Sequence, residues 1–329
     1  ERTLMINRIL LFGDTYGIPQ LLKALPKEAI LGIVGAENRP QYHGELKKLS
    51  EECGICFMIQ PLPRSPDYPW FVRWLEGMTP DLIWINSYSM KLPEEVIQIP
   101  RFGALNIHGA LLPQYRGCNP TQWAILNSEW KTGVTLHHVT ARIDEGPIIT
   151  QKEVPLYFED TWIDTQKRIA IAIDRLLEEI VPQVLSGSWS STPQEEAKAW
   201  YGRRRKPKDG CFSWDEPVVD IYNKIRALVA PHPGAFYEDP ERGKTVIDEY
   251  MSLTEVVEMK YQQTSDYSLV QKQQLRMVFP DNPNDSTFER WREMEWNGME
   301  WNVVPPFGPF GGMTKRFCIV GLRIGSCLS

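Results

Sequence analysis

The sequence predicts an α/β protein: a parallel or mixed sheet with helices on both faces, then a smaller, mostly β region at the C-terminal end. Three observations carry this. Short apolar runs alternate with helical segments through the first half of the 329 residues. Polar side chains fall at the ends of those runs, where open α/β sheets bind ligands. A Ser-, Gly- and Pro-rich stretch, SGSWSSTPQEE (186–196), reads as linker. The expected organisation is a main α/β body over 5–190, linker and helix over 191–240, and a small mostly β domain over 241–329.

The elements follow in order. ILLFG (9–13) and AILGIVGA (29–36) are short β-rich runs. GELKKLSEECG (44–54) has helical periodicity, and the CGIC beginning at Cys53 ends that helix and opens a strand. PDLIWINSY (80–88) is a buried run closed by polar residues, and GALNIHG (103–109) and GVTLHHVT (133–140) are further strands. Asn119 before Pro120 predicts a helix start, with the Asn side chain as N-cap and proline in the first turn. A long amphipathic helix is expected over 161–185. Beyond the linker, YGRRRKPKDG (201–210) is a basic loop, and SWDEPVVDIYNKIRALVAPHPGAFY holds a helix ending in a Pro-Gly turn. GKTVIDEYMSL, LRMVFPD and RFCIVGLRIG read as strands. MEWNGMEWN, with Trp296 and Trp301, suits aromatic packing or a surface contact, and makes the tail a candidate homodimer contact.

Composition excludes several classes. The chain is 42% hydrophobic and 24% charged, with a formal charge of −6. That is ordinary for a globular protein and argues against a nucleic-acid surface, which needs clustered Lys and Arg. No apolar run reaches the roughly 20 residues that span a bilayer, so no membrane partner is expected. The start carries no small-residue cleavage site, so no signal peptide is expected. Six cysteines at 53, 56, 118, 211, 318 and 327 are too sparse for a disulfide framework, which fits a reducing cytoplasm. Cys53 and Cys56 have no second ligand pair at zinc spacing and read as buried thiols. No metal is expected.

The stretch from Asn106 to Asp144 carries the chemistry. An amide, an imidazole and a carboxylate (Asn106, His108, Asp144) surround a Leu-Leu-Pro turn and a Tyr-Arg-Gly loop. Such groups suffice to move an acyl group onto an amine. Singly, each has a plainer reading: strand-end residues bonding backbone, or an Asp that starts a turn. His137 and His138 occupy adjacent strand positions and so face opposite ways; one can reach the crevice, with core or surface placement favoured for either. Gly13–Gly17 lacks a GxGxxG and reads as an ordinary strand–helix turn. Cys118 reads as packing.

NIHGALLPQYRG, Pro120, WAIL, TGVTLHHV and IDEGPII together resemble the N10-formyltetrahydrofolate-dependent formyltransferase family. That family includes methionyl-tRNA formyltransferase, glycinamide ribonucleotide transformylase and the formyltransferases of 4-amino-sugar nucleotides. YGRRRKPKDGCFSWDEP and NKIRALVAPHPGAF resemble the region that leads into the C-terminal domain of the tRNA and amino-sugar branches. The likeness runs from about residue 7 to 240. It implies a Rossmann-like formyltransferase domain that binds N10-formyltetrahydrofolate as co-substrate, with Asn106, His108 and Asp144 catalytic. SYSMKLP (87–93) resembles the family segment whose backbone grips the pterin. Folate contacts are therefore expected at Ser87, Tyr88, Met90 and Leu92, with Leu112, Pro113 and Asp144. Tyr115, Arg116 and Arg204 are expected at the acceptor; for Arg116 a structural role in the turn is equally open. Ala110 departs from the commoner serine of the motif.

For such a transfer, Asn106 and a His108 ring N–H would stabilise the oxyanion on the formyl oxygen. Asp144 would carry the proton from the attacking amine towards the leaving nitrogen. From residue 241 to the end there are ten Lys and Arg against twelve Asp and Glu. That favours a nucleotide-linked amino sugar as acceptor over methionyl-tRNA, and the Arg203–Lys208 run suits a diphosphate. A hydrolase using water as acceptor and a non-catalytic binding module are the competing classes.

Overall fold

The computed structural model describes residues 6–247 and 251–264. Its chain divides into two compact units at Arg205/Lys206. Residues 191–205, read from sequence as linker, belong to the first.

The first unit contains β1 (Ile9–Gly13), α1 (Ile18–Ala24), β2 (Ile30–Ala36), α2 (His43–Cys53), β3 (Cys56–Gln60), α3 (Tyr68–Met78), β4 (Leu82–Asn86) and α4 (Glu94–Ile97). It continues with β5 (Ala104–His108), the two-residue β6 (Arg116–Gly117), α5 (Pro120–Leu126), β7 (Lys131–His138), β8 (Ile148–Pro155), α6 (Trp162–Ser186) and β9 (Tyr201–Gly202). The main sheet runs β3-β2-β1-β4-β5-β7-β8. It is parallel through β5, while β7 and β8 are antiparallel. The chain winds outward from β1 to β3 and returns on the other side with β4, so β1 and β4 flank the reversal point. At such a point, ligands find a crevice beyond the strand ends. The approach of β1 to β4 is close. A Cβ on Gly17 would collide with the Asn86 carbonyl.

Alternation along the strands divides two cores. Ile9, Leu11, Leu82, Trp84, Leu105, Ile107, Val134 and Leu136 pack on one face with α1 and α6. Leu10, Phe12, Ile83 and Ile85 pack on the other, with Tyr68, Phe71 and Leu75 of α3 and Val96 of α4. β1 is therefore apolar throughout, β4 is apolar up to its terminal Asn86, and both are fully buried. On β5 and β7 the second face instead carries Asn106, His108, Thr135 and His137. Period two makes this a polar floor beside the helix-covered part of the sheet.

α6 starts at Thr161, whose side chain accepts from the Asp164 N–H while Asp164 bonds back to the Thr161 N–H. Its stripe of Ile169, Ile173, Leu176, Leu177, Ile180 and Val184 is buried. Each such side chain contributes roughly 1.5–3 kcal/mol. α5 begins at Pro120 as expected, but Asn119 is not a side-chain N-cap. Its backbone is left-handed (φ 57°), and Oδ1 accepts from the Arg205 N–H instead.

The second unit, from Lys206, contains α7 (Val218–Ala227), a hairpin of β10 (Phe236–Asp239) with β11 (Gly243–Val246), and α8 (Leu253–Thr264), which packs on α7. Phe212, Trp214 and Tyr237 form an aromatic cluster with centroids 5.0–5.8 Å apart. The expected strand GKTVIDEYMSL is β11 at its start, and α8 was not foreseen. LRMVFPD, RFCIVGLRIG, MEWNGMEWN, Cys318 and Cys327 lie outside the described residues. Among the described residues no helix is long and apolar enough to cross a membrane, and the four cysteines are free thiols.

Candidate active site

Asn106 and His108 stand two apart on β5 and share one face; His137, the register partner of Asn106 on β7, points to the same face. Asp144 reaches them by an unexpected path. The sequence reading brought Asp144 to the site as the residue after a strand end. β7 is antiparallel to β5, so its carboxyl end lies beside Ala104, with Val139 N–H bonded to the Ala104 carbonyl at 2.8 Å. The loop 139–147 therefore doubles back over the polar floor. Asp144 itself takes left-handed backbone (φ 56°), which costs a non-glycine residue about 1–2 kcal/mol.

The hydrogen bonds assign the rings. His108 Nε2 lies 2.7 Å from the Tyr115 carbonyl. A carbonyl only accepts, so Nε2 carries the hydrogen and Nδ1 is left facing Asp144 Oδ2 at 3.6 Å. His137 Nδ1 donates to the His138 carbonyl at 2.8 Å, and its Nε2 accepts from Asn106 Nδ2 at 3.1 Å. That Nε2 also stands 3.5 Å from Asp144 Oδ1. The Gly117 N–H donates to Asp144 Oδ2 at 2.8 Å. Gly117 (φ 89°) is left-handed, and a Cβ there would press on the Gly202 carbonyl, so the donor comes from a position only glycine suits.

Asp144 is 12% exposed. Burial pushes its carboxyl up, but the charge of His108, then His137, then the Gly117 N–H outweigh it and hold the carboxyl well below the usual carboxylate range. Asn106 spends one amide hydrogen on His137 and has a second. Of the His108 ring nitrogens, Nε2 is occupied by the Tyr115 carbonyl and Nδ1 faces Asp144. His137, expected in the core or at the surface, is a member of the cluster. Its neighbour His138 turns the other way and accepts from Trp189 Nε1 at 3.2 Å. Only the parity of β7 could have pointed to His137.

Several of the expected contact residues are engaged by other groups of the protein. The Tyr115 ring is buried, its hydroxyl donating to Glu129 at 2.6 Å, and only its carbonyl meets the site. Arg116 is wholly buried, with Nε on Gln194 and Nη1 on Glu196 and the Tyr201 hydroxyl, so it anchors the loop and does not face an acceptor. Leu112 is buried, with its N–H on Thr135 Oγ1 and its carbonyl on Gln151, and the Pro113 carbonyl accepts from Trp200. Both brace the turn. Ser87 Oγ donates to Asp14 and Tyr88 OH to Gln60, so the hydrogen of each hydroxyl is spent within the protein. Leu92 is buried in the second core and Met90 is half-buried. The main chain of Tyr88–Leu92 makes no backbone hydrogen bond among the described residues, which leaves its amides and carbonyls open. Arg204 is exposed.

Asp14 Oδ1 accepts from the Tyr16 and Gly17 N–H groups and so closes the connection between β1 and α1, as in an ordinary strand–helix turn. Among the described residues no three His, Cys, Asp or Glu side chains are arranged to hold a metal.

The formyl transferase family model matches residues 21–181, and that of the formyl transferase C-terminal domain matches 204–252. The fold is similar to a sugar N-formyltransferase from Shewanella sp. FDAARGOS_354, with 20% identity over 73% of this chain and 95% of that one (TM-score 0.61). It is equally similar to a 4-N formyltransferase from Francisella tularensis, with 18% identity over 74% and 97% (TM-score 0.61). An N-formyltransferase from Helicobacter canadensis, solved with folinic acid and dTDP-3-aminofucose, matches at 18% identity over 68% and 80% (TM-score 0.52). The two family models together cover more than half of the chain, in the order of its two units, and the chain belongs to the formyl transferase family.

Proposed function

We propose that this enzyme transfers the formyl group of N10-formyltetrahydrofolate to the primary amine of a nucleotide-linked amino sugar. The observation that carries the reading is the convergence of Asn106, His108, His137 and Asp144 on one polar floor. The amine nitrogen attacks the formyl carbon, and the oxyanion takes the second Asn106 amide hydrogen and the Nδ1–H that His108 carries as an imidazolium beside Asp144, its Nε2–H being held by Tyr115. Asp144, kept ionised, accepts a proton from the new ammonium, and that proton leaves with N10 as the C–N10 bond breaks. The open main chain of Tyr88–Leu92 supports a pterin site, since such a ring pairs with backbone donors and acceptors. The nucleotide-sugar reading draws on the acidic C-terminal region, on Arg203 and Arg204 exposed beside β9, and on the fold shared with the Helicobacter canadensis enzyme and its two ligands.

The test is a donor–acceptor matrix: N10-formyltetrahydrofolate with dTDP- or UDP-linked amino sugars, with charged initiator tRNA, and with no acceptor. Folate turnover that requires an amino sugar supports the proposal. Formylation of tRNA alone, or undiminished turnover with water as acceptor, overturns it.

A further inference from the structure

The backbone of β7 ties the 139–147 loop only at its base, where the His138 N–H donates to the Pro147 carbonyl at 3.0 Å, and the strand itself leads away from the active site. The segment after α6 supplies the missing hold. Thr192 and Ile148 exchange two backbone hydrogen bonds of 2.8 Å, laying the segment along the sheet. Two residues on, Gln194 Nε2 donates to the Asp144 carbonyl and to the Gly146 carbonyl, both at 2.7 Å. Its Oε1 accepts from Arg116 Nε at 3.0 Å. This amide has one possible orientation: reversed, it would set oxygen against two carbonyls and nitrogen against a guanidinium.

Behind it Arg116 is wholly buried, held by Glu196 Oε2 at 3.0 Å and the Tyr201 hydroxyl at 2.7 Å. Tyr201 OH in turn bonds Glu145. Arg116 is followed by Gly117, whose N–H holds the Asp144 carboxylate. The short β6 thus grips Asp144 twice, at the side chain through Gly117 and at the main chain through Arg116 and Gln194. The pairing of β6 with β9 closes the bracket.

We infer that Gln194 is a positioning residue for formyl transfer. By holding the left-handed turn at Asp144 from outside the 139–147 loop, it sets the carboxylate between His108 Nδ1 and His137 Nε2. The segment between the sheet and the second unit is then part of the catalytic apparatus. This rests on the reading that Asp144 carries the proton.

The test compares Gln194→Met, which removes all three hydrogen bonds, with Gln194→Glu, which keeps the Arg116 contact and loses both donors to the loop. Asp144→Asn is the reference, and thermal unfolding is followed alongside. Both Gln194 variants should lose kcat by roughly 10- to 100-fold with both KM values within about threefold, because a small misplacement acts on the transition state rather than on binding. The acid limb of their kcat/KM profile should move up, as Asp144 parts from the two imidazoles and Gly117. Wild-type kcat in Gln194→Glu overturns the inference, as does a loss in both variants that follows unfolding with an unmoved acid limb. Should Asp144→Asn stay fully active, the proton-carrier reading falls and this inference with it. An inactive Asp144→Asn beside a fully active Gln194→Met sinks the inference alone.

Discussion

The carbonyl oxygen of Tyr115 accepts from Nε2 of His108 at 2.7 Å, while the Tyr115 ring points away to Glu129. A backbone atom thus sets the tautomer and direction of the imidazole. Tyr115→Phe should therefore leave kcat and both KM values near wild type. Loss of the hydroxyl bond to Glu129 should cost about 1 kcal/mol of stability. A large rise in acceptor KM in this variant would restore the ring as an acceptor contact.

Asn106 depends on His137 in the same manner, through the 3.1 Å bond from Nδ2 to Nε2. His137→Phe fills the volume but leaves the amide free to rotate. Steady-state kinetics should show kcat reduced by roughly tenfold or more, below the ~100-fold or greater loss expected from Asn106→Ala. Equal activity of His137→Phe and wild type would remove His137 from the mechanism.

Asp144 links stability to pH. Its folded carboxyl is held below its unfolded value, so it contributes stability that is fully present above the unfolded value near 3.9. That contribution is lost as pH falls through the lower folded value. Asp144→Asn should thus be less stable than wild type at pH 7, with the gap narrowing on acidification below about 4. Chemical unfolding at pH 7, 5 and 3 measures this, and a gap that widens in acid contradicts it.

The Arg116 ion pair is asymmetric. Glu196 is 72% exposed and Arg116 is not exposed at all. Glu196→Gln should cost under about 1 kcal/mol, as for a surface partner. Arg116→Met leaves Gln194 and Tyr201 without their buried partner and should cost about 3 kcal/mol. Denaturant midpoints of the two variants separate these outcomes.

Arg204 is an exposed cation just beyond β9 that the acceptor reading uses. Arg204→Ala should raise the KM for a nucleotide-linked acceptor by about tenfold in low salt, less in high salt, with the folate KM unchanged. An unchanged acceptor KM would exclude it from the phosphate contact.

Much of the fold was legible in sequence because it depends on local pattern. ILLFG and LIWI are apolar at every position since β1 and β4 are covered on both faces, and Thr161 with Asp164 announces the start of α6. Asn106 and His108 were legible for a related reason: polar residues at alternate positions of an otherwise apolar strand mark an uncovered face. The roles of Tyr115 and Arg116 stayed open because sequence names a side chain without saying whether the fold uses it, its carbonyl, or its burial. Gln194 was invisible, sitting in a stretch whose Ser, Gly and Pro content signals only the absence of regular structure.

Sequence by itself determined the alternating architecture, the three polar groups and the family they resemble, since period, turn chemistry and motif order are properties of neighbours along the chain. Tertiary structure alone decided how those groups meet. The antiparallel pairing of β7 with β5 put His137 against Asn106 and carried the loop's start away from the site. Contacts across long separations, from Gln194 to Asp144 and from Arg116 to Glu196, then brought the carboxylate back. Such pairings depend on register and on side-chain packing in space, and neither leaves a periodic trace in the sequence.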